Sequence, residues 1–490
     1  MIDFWLNSDR VKNKVFIPKY YDPDIDLNLA KLEDTHQLLK VGDLVSREVL
    51  KLETGHEIGK LAYGTGDIPF VRTSDIANWE TRSIPKQGVS EDIYETYKVK
   101  QDVAVGDILL VRDGTYLIGT NCIITELDKK IVYQSHLLKI RVNKDFIDPY
   151  AIFLALNSEI VQRQIRSFQF TADTIDTIGN RFLDVVLPIP RDLSLTARLS
   201  AEAKLAMEER EKGKAFIKQA PVILEETLLT GKLDYIDEFF ASDLEEIVDE
   251  LKQDTITSEF GKFEAFWRRS SDIKDKILLP KYYNPEVEKE LSGLSVNCEC
   301  VSIGSLIDAG VISDKTGVEI GKMAYGTGDI PFIRTSDFCN WEMKHNPKQG
   351  ISQDIYDKYC GKIDLKKGDI FLVRDGTYLV GGSCIVTDRD TKALFCGGLY
   401  KLRVEDQSEL DEWLLLALLN TYVVKRQLRT KQFTRDVIDT LGRRLYEVIL
   451  PIPKDKKVRQ GLSDKVRRVV EMRLDNRDKI MELSQQLTHV

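Results

Sequence analysis

The chain has 490 residues, 42% of them hydrophobic and 30% charged, with a formal net charge of −9. This is the composition of a folded globular protein. With no run of 18 apolar residues it offers no membrane-spanning helix, and the opening MIDFWLNSDRVKNK lacks the apolar core of a secretory signal, so a cytoplasmic location is expected.

In chain order, IPFVRTS (68–74), GDILLVRDG (106–114), NCIITEL (121–127) and HLLKIRV (136–142) are short β-rich runs bounded by Gly, Asp and Asn, and read as strands. Pro149 then opens a helix that runs to Asn157. LPIP (187–190) is an extended exit, because each proline denies helix to the residue before it. A long polar helix follows from about Leu193 to about Leu229, which Pro221 should kink or interrupt. From there the pattern starts again. GKLAYGTGDIPFVRTSDIANWE (59–80) matches GKMAYGTGDIPFIRTSDFCNWE (321–342) at 18 of 22 positions. PKYYDP and PKYYNP, and VRDGTYL twice, keep the same offset of 262, and LPIP returns at 450–453. A second long helix is expected from about Lys457 to Leu487. Its stripe of Val466, Val469, Val470, Ile480, Leu483 and Leu487 is broken by Arg473 and Asn476.

The domain reading is therefore a module at 1–190, a long helix with an acidic linker at 191–256, a second module at 257–453 and a second long helix at 454–490. The fold class is α+β: two homologous mixed α/β modules, with long helices forming an antiparallel two-helix spacer about a pseudo-twofold. The alternative is that each helix folds back on its own module. A repeat this long is not a solenoid. The acidic linker holds eight acidic residues and no basic one between 234 and 250; the rest of the chain carries −1. A near-neutral body can hold a basic groove, since binding follows local potential.

Enzyme signatures are missing. Tyr63–Pro69 is glycine-rich but lacks the Lys-Ser/Thr of a phosphate loop and the third glycine of a dinucleotide fingerprint; it reads as a turn entering a strand. Asp148-Pro149-Tyr150 lacks the second proline of an adenine methyltransferase motif. Glu250-Leu251-Lys252 has a nuclease-like E-x-K but no partner motif and no second copy. No HExxH, nucleophile elbow or CxxC pair occurs. Of seven cysteines only Cys122 and Cys384 match between copies, and Cys298-x-Cys300 faces His36-x-Leu38, so free buried thiols are expected rather than a metal or disulfide framework.

What recurs unchanged is Arg72-Thr73-Ser74-Asp75 as 334–337 (Arg334, Thr335, Ser336) and Arg112-Asp113-Gly114-Thr115-Tyr116 as 374–378 (Arg374, Thr377, Tyr378). Arginine suits phosphate and guanine edges, and hydroxyls suit phosphate oxygens, so these are candidates for DNA-backbone contact. They read equally as internal architecture, with Asp75 as a turn cap, Arg112–Asp113 as a local ion pair and Gly114 as a turn residue. If the two modules read different bases, the readers are among the edited positions. Gln134, Ser135 and His136 face 396–398 (Cys-Gly-Gly). Gln169 and Thr171, in 167–173, face Lys431, Gln432, Thr434 and Arg435, in 430–436.

A module carrying G-D-I-L-x-x-R-x-G-T, a late helix and an I-P-x-P exit into a long helix, then all of that again, resembles the specificity (S) subunit of type I restriction–modification systems. The matching residues are 106–115 with 187–190 and 368–377 with 450–453, and the resemblance spans essentially the whole chain. It implies two target-recognition domains that each read half of a bipartite double-stranded DNA site, on helices that dock two methyltransferase subunits, with restriction/translocase subunits outside. It implies no catalytic residue, no metal and no cofactor in this chain, and no membrane. Two departures stand out: the acidic tract and the high identity of the copies. A recognition component of another methylation-linked anti-phage system, a tandem protein scaffold that binds no DNA, and a cryptic nuclease are the alternatives.

Overall fold

The computed structural model describes residues 5–8, 11, 15–84, 86–114, 116–172, 175–253, 266–275, 277–376, 378–435 and 438–489. The chain divides into two compact units: residues 1–211 with 474–490, and residues 212–473.

In the first unit the central strand is Ile108–Val111, four apolar residues with no exposed surface, as a strand covered on both faces requires. It lies in a four-stranded antiparallel sheet, in the order Leu50–Thr54, Leu137–Val142, Ile108–Val111, Asn121–Ile123. A smaller sheet joins Gly88–Val89, Ile68–Val71 and Val132–Tyr133, the last two parallel. Helix Pro149–Asn157 starts where the sequence places it: Pro149 occupies the first turn and the Asp148 carboxylate accepts from Tyr150 N at 2.7 Å. The exit strand Val186–Pro190 pairs antiparallel with His36–Lys40. Its prolines are tolerated because this is a two-stranded edge. A hairpin, Phe170–Ala172 with Ile175–Thr177, lies between helix and exit.

The second unit repeats each of these parts. Its four-stranded sheet runs Ile312–Thr316, Leu399–Val404, Ile370–Val373, Ser383–Ile385. Phe433–Arg435 pairs with Ile438–Thr440, and Cys298–Ser302 with Ile449–Pro453. The late helix, Glu412–Leu419, is capped by Asp411 without a proline. All seven cysteines are free, but only Cys122, Cys298, Cys339 and Cys384 are buried; Cys300, Cys360 and Cys396 are partly exposed.

The long helices span Leu193–Thr230 and Lys456–Gln486. Pro221 does not interrupt the first. Phe216, Ile217, Ala220, Leu224 and Leu228 are buried on both sides of it, and that burial offsets the one backbone hydrogen bond proline removes. Within the first unit, Glu202 meets Lys479 at 2.8 Å and Glu209 meets Asn476 at 2.6 Å. Numbers rise along one helix as they fall along the other, so the pair is antiparallel. The same helices also close the module core: Leu199, Ala203, Ala206 and Met207 from one and Ile480, Leu483 and Leu487 from the other cluster with Ile152, Phe153 and Leu187. In the second unit Gly213 lies so close to Arg473 that a β-carbon would sit 2.8 Å from its Cγ.

Each module holds its helix through a tight hairpin. Ile76–Ala77 and Glu80–Thr81 are joined by Asn78 and Trp79, both at positive φ (48° and 65°), which is the geometry that matches strand twist. The hairpin delivers Glu80 to Arg210 of the first helix, Oε1 to Nη2 3.3 Å, with the guanidinium fully buried. In the second unit Asn340 and Trp341 repeat the turn and Glu342 meets Arg473 at 2.8 Å. The residue that broke the apolar stripe of the second helix is thus the anchor of that helix.

Arg210→Ala and Arg473→Ala are each expected to cost about 3–5 kcal/mol, by removing the cation from beside a buried carboxylate. Denaturant titration with hydrogen exchange should place the first loss at 76–81 and the second at 338–343. A cost under about 1 kcal/mol would show that apolar packing alone holds the helices.

Candidate nucleic-acid interface

Three backbone hydrogen bonds gather the singled-out segments of the first module. Gln134 N donates to Val71 O at 3.0 Å, next to Arg72. Arg112 N donates to His136 O at 2.9 Å, and Gly114 N to Asp176 O at 2.8 Å. The arginine segments, the 134–136 turn and the hairpin therefore form one cluster. The second module repeats it through Cys396 N to Ile333 O, Arg374 N to Gly398 O and Gly376 N to Asp439 O. Gly114 and Gly376, at φ 127° and 138°, hold a backbone that a side chain would strain. Thr115 and Thr377 lie outside the described residues, as do the side chains of Thr171 and Arg435.

The repeated acids organise each cluster. Asp75 is buried and accepts from Arg72 N at 3.1 Å, with Arg82 and Lys86 each 3.8 Å away. Lys86 also donates to Ser74 Oγ at 2.9 Å, and Thr73 is half-buried. Asp337 accepts from Arg334 N at 2.9 Å, and burial pushes its carboxyl above the ordinary range. Thr335 and Ser336 are half-buried, and the Arg334 guanidinium lies 5.9 Å from the Tyr325 ring.

Arg112 grips Asp113 through Nε (3.1 Å) and Nη2 (2.7 Å). Asp113 also accepts from Thr177 Oγ1 and lies 3.0 Å from His136 Nδ1. Burial pushes Asp113 up, but those hydrogen bonds outweigh it and hold the carboxyl below the usual range. Arg374 grips Asp375 alike, at 3.0 and 2.7 Å, without a histidine. In both modules the second terminal nitrogen, Nη1, has no partner among the described residues and is not buried. Tyr116 and Tyr378 are more than half exposed.

The edited positions divide by what holds them. Gln169 donates to Asp176 at 2.8 Å across its hairpin. Gln432 does the same to Asp439 at 2.7 Å, and Thr434 Oγ1 adds a bond to Asp439 at 2.6 Å. Lys431 lies over the Tyr282 ring and 3.4 Å from Glu447, and burial pulls its pKa down. Ser135 donates to Glu57. Gln134 is half-buried, with no side-chain hydrogen bond among the described residues.

No protein-family model and no curated protein matches the chain. Three solved structures align with it over nearly its whole length. The type I restriction–modification S subunit from M. genitalium is 11% identical, over 92% of this chain and 95% of that one, with a TM-score of 0.33. A structure described as the basis of complex assembly and conformational transition of the type I R-M system is 14% identical over 93% and 96%, TM-score 0.27. The HsdS subunit from Thermoanaerobacter tengcongensis is 15% identical over 93% and 95%, TM-score 0.27. Among the described residues, no helix is long and apolar enough to cross a membrane, and no group of three or more His, Cys, Asp or Glu is placed to hold a metal.

The sequence reading passed over one pair of cations at the hairpin. The Arg181 guanidinium stacks 4.3 Å from the Phe170 ring and donates to Phe168 O and Thr177 O, so it ties both ends of the hairpin; Lys19 lies 6.0 Å from the same ring. Arg444, Phe433 and Lys281 repeat this at 4.0 and 6.0 Å. The signal was in the repeat: PKYY carries Lys19 and Lys281 at the offset of 262, and Arg181 and Arg444 share the offset of 263 that separates the two LPIP segments.

Asp113→Asn should loosen 134–136 and 175–177 while leaving 396–398 and 438–440 unchanged in hydrogen exchange. Because the folded carboxyl is held low, its contribution is full above the unfolded value of about 3.9 and is lost as pH falls through the folded value. Melting curves of wild type and variant should therefore stay a constant distance apart above about pH 4 and converge in acid.

Proposed function

We propose that this chain is the sequence-specific DNA-recognition subunit of a type I restriction–modification complex, each module reading one half of a bipartite site. The observation that carries the reading is the duplicated cluster. Each module gathers the same two arginine segments, an exposed tyrosine and a hairpin, and the positions that differ between copies lie in that same cluster. Repeated residues suit the sequence-independent backbone, and edited ones suit the bases. Arg72, Thr73, Ser74, Arg112, Thr115 and Tyr116 take phosphates in the first module, and Arg334, Thr335, Ser336, Arg374, Thr377 and Tyr378 in the second. The 134–136 turn and the two hairpins supply base contacts. A covalent pseudo-dimer reads a site whose halves differ, which a true homodimer cannot.

The chain is non-catalytic in this reading. Methyl transfer and cleavage belong to partner methyltransferase and restriction/translocase subunits, two of the former docking on the long helices. The acidic helices Asp234–Ala241 and Leu244–Gln253 follow the first long helix directly along the chain.

Methylome sequencing of a host with and without this chain is the direct test: a bipartite methylated motif should vanish with the chain. Arg112→Ala and Arg374→Ala should each weaken binding to all duplexes alike and lower the salt slope by about 1. A change in the bases read, with the salt slope intact, would refute the phosphate assignment.

A further inference from the structure

The two clusters differ most plainly at one position. Where the second module has Gly398, the first has His136. A β-carbon at 398 would lie 3.1 Å from Thr335 Cγ2, so that turn has little room for a side chain. The first module gives the ring a fixed seat. Asp113 binds Nδ1 at 3.0 Å and is itself held by Arg112 and Thr177. A carboxylate kept ionised can only accept, so Nδ1 must carry the hydrogen. In the neutral ring that leaves the lone pair on Nε2. This nitrogen has no partner among the described residues and is not buried, on a side chain about one-third exposed.

We propose that His136 is a specificity-determining residue of the first module. Its Nε2 accepts a hydrogen bond from the exocyclic amino group of an adenine or cytosine in the major groove. The proposal rests on the DNA-reading function above and deepens it. In the major groove only those two bases present an amino donor, N6 of adenine and N4 of cytosine, so an acceptor of fixed direction separates them from guanine and thymine. The Asp113 tether fixes the tautomer as well as the direction, which a surface histidine would not do by itself. Gly398 makes no such contact, so the second half-site carries no matching requirement.

The test uses the complete complex in its host, with methylome sequencing of wild type, His136→Gly and His136→Lys. His136→Gly copies a turn the second module already builds, and His136→Lys exchanges an acceptor for a donor. In wild type, one position of one half-site should be adenine or cytosine. In His136→Gly the preference there should fall about five- to tenfold, with the other half-site unchanged. In His136→Lys the same position should turn toward guanine, whose O6 and N7 accept. An unchanged motif in both variants overturns the proposal. So does an even loss of methylation at every position, which would make His136 a structural residue. A wild-type complex that writes no bipartite motif overturns the DNA-reading function itself, and the assignment of His136 with it.

Discussion

A buried arginine–glutamate pair in each unit is the contact on which the remaining architecture depends. Burying two charges is favourable only when geometry and further hydrogen bonds compensate their lost hydration. Each glutamate is presented by a hairpin whose two turn residues both adopt positive φ, one of them a tryptophan. Trp79 is buried and donates to Asn157, the last residue of the late helix. One turn thus registers the long helix, the late helix and the central sheet against each other. Removing its strain by another turn type would displace Glu80 from Arg210.

The candidate interface is built on the same logic with smaller stakes. Asp113 and Asp375 are hubs: each takes an arginine from its own strand end and holds the neighbouring hairpin through an isolated bridge to Thr177 or Thr440. An arginine gripped through two nitrogens loses little further freedom when a third group binds its remaining edge. The ion pair and a phosphate contact are therefore compatible roles for one side chain.

Much of this was legible in the sequence because the repeat compares the protein with itself. The extended exit at 187–190, the helix from Pro149 and both long helices follow from proline placement and apolar periodicity, which are local. Strand His36–Lys40 was missed, because its partner lies about 150 residues away and its own pattern is short and mixed. The hairpin at 170–177 was seen as an edited stretch but not as paired strands, since three-residue strands carry almost no periodicity. The interruption expected at Pro221 does not occur, for the opposite reason. Its local cost is real, and the burial that outweighs it is invisible in a window of neighbours.

The sequence by itself determined the duplication, the two-module architecture, the long helices and the set of residues that change between copies. Each of these follows from spacing along one chain. Tertiary structure decided which of those residues meet. It turned Arg473 from a break in a stripe into an anchor, tied Gln169 and Gln432 to their own hairpins, and set His136 on Asp113 with its far nitrogen open. The reason is physical. A hydrogen bond between side chains 23 residues apart depends on the register of three strands and a turn, and no local propensity carries that register.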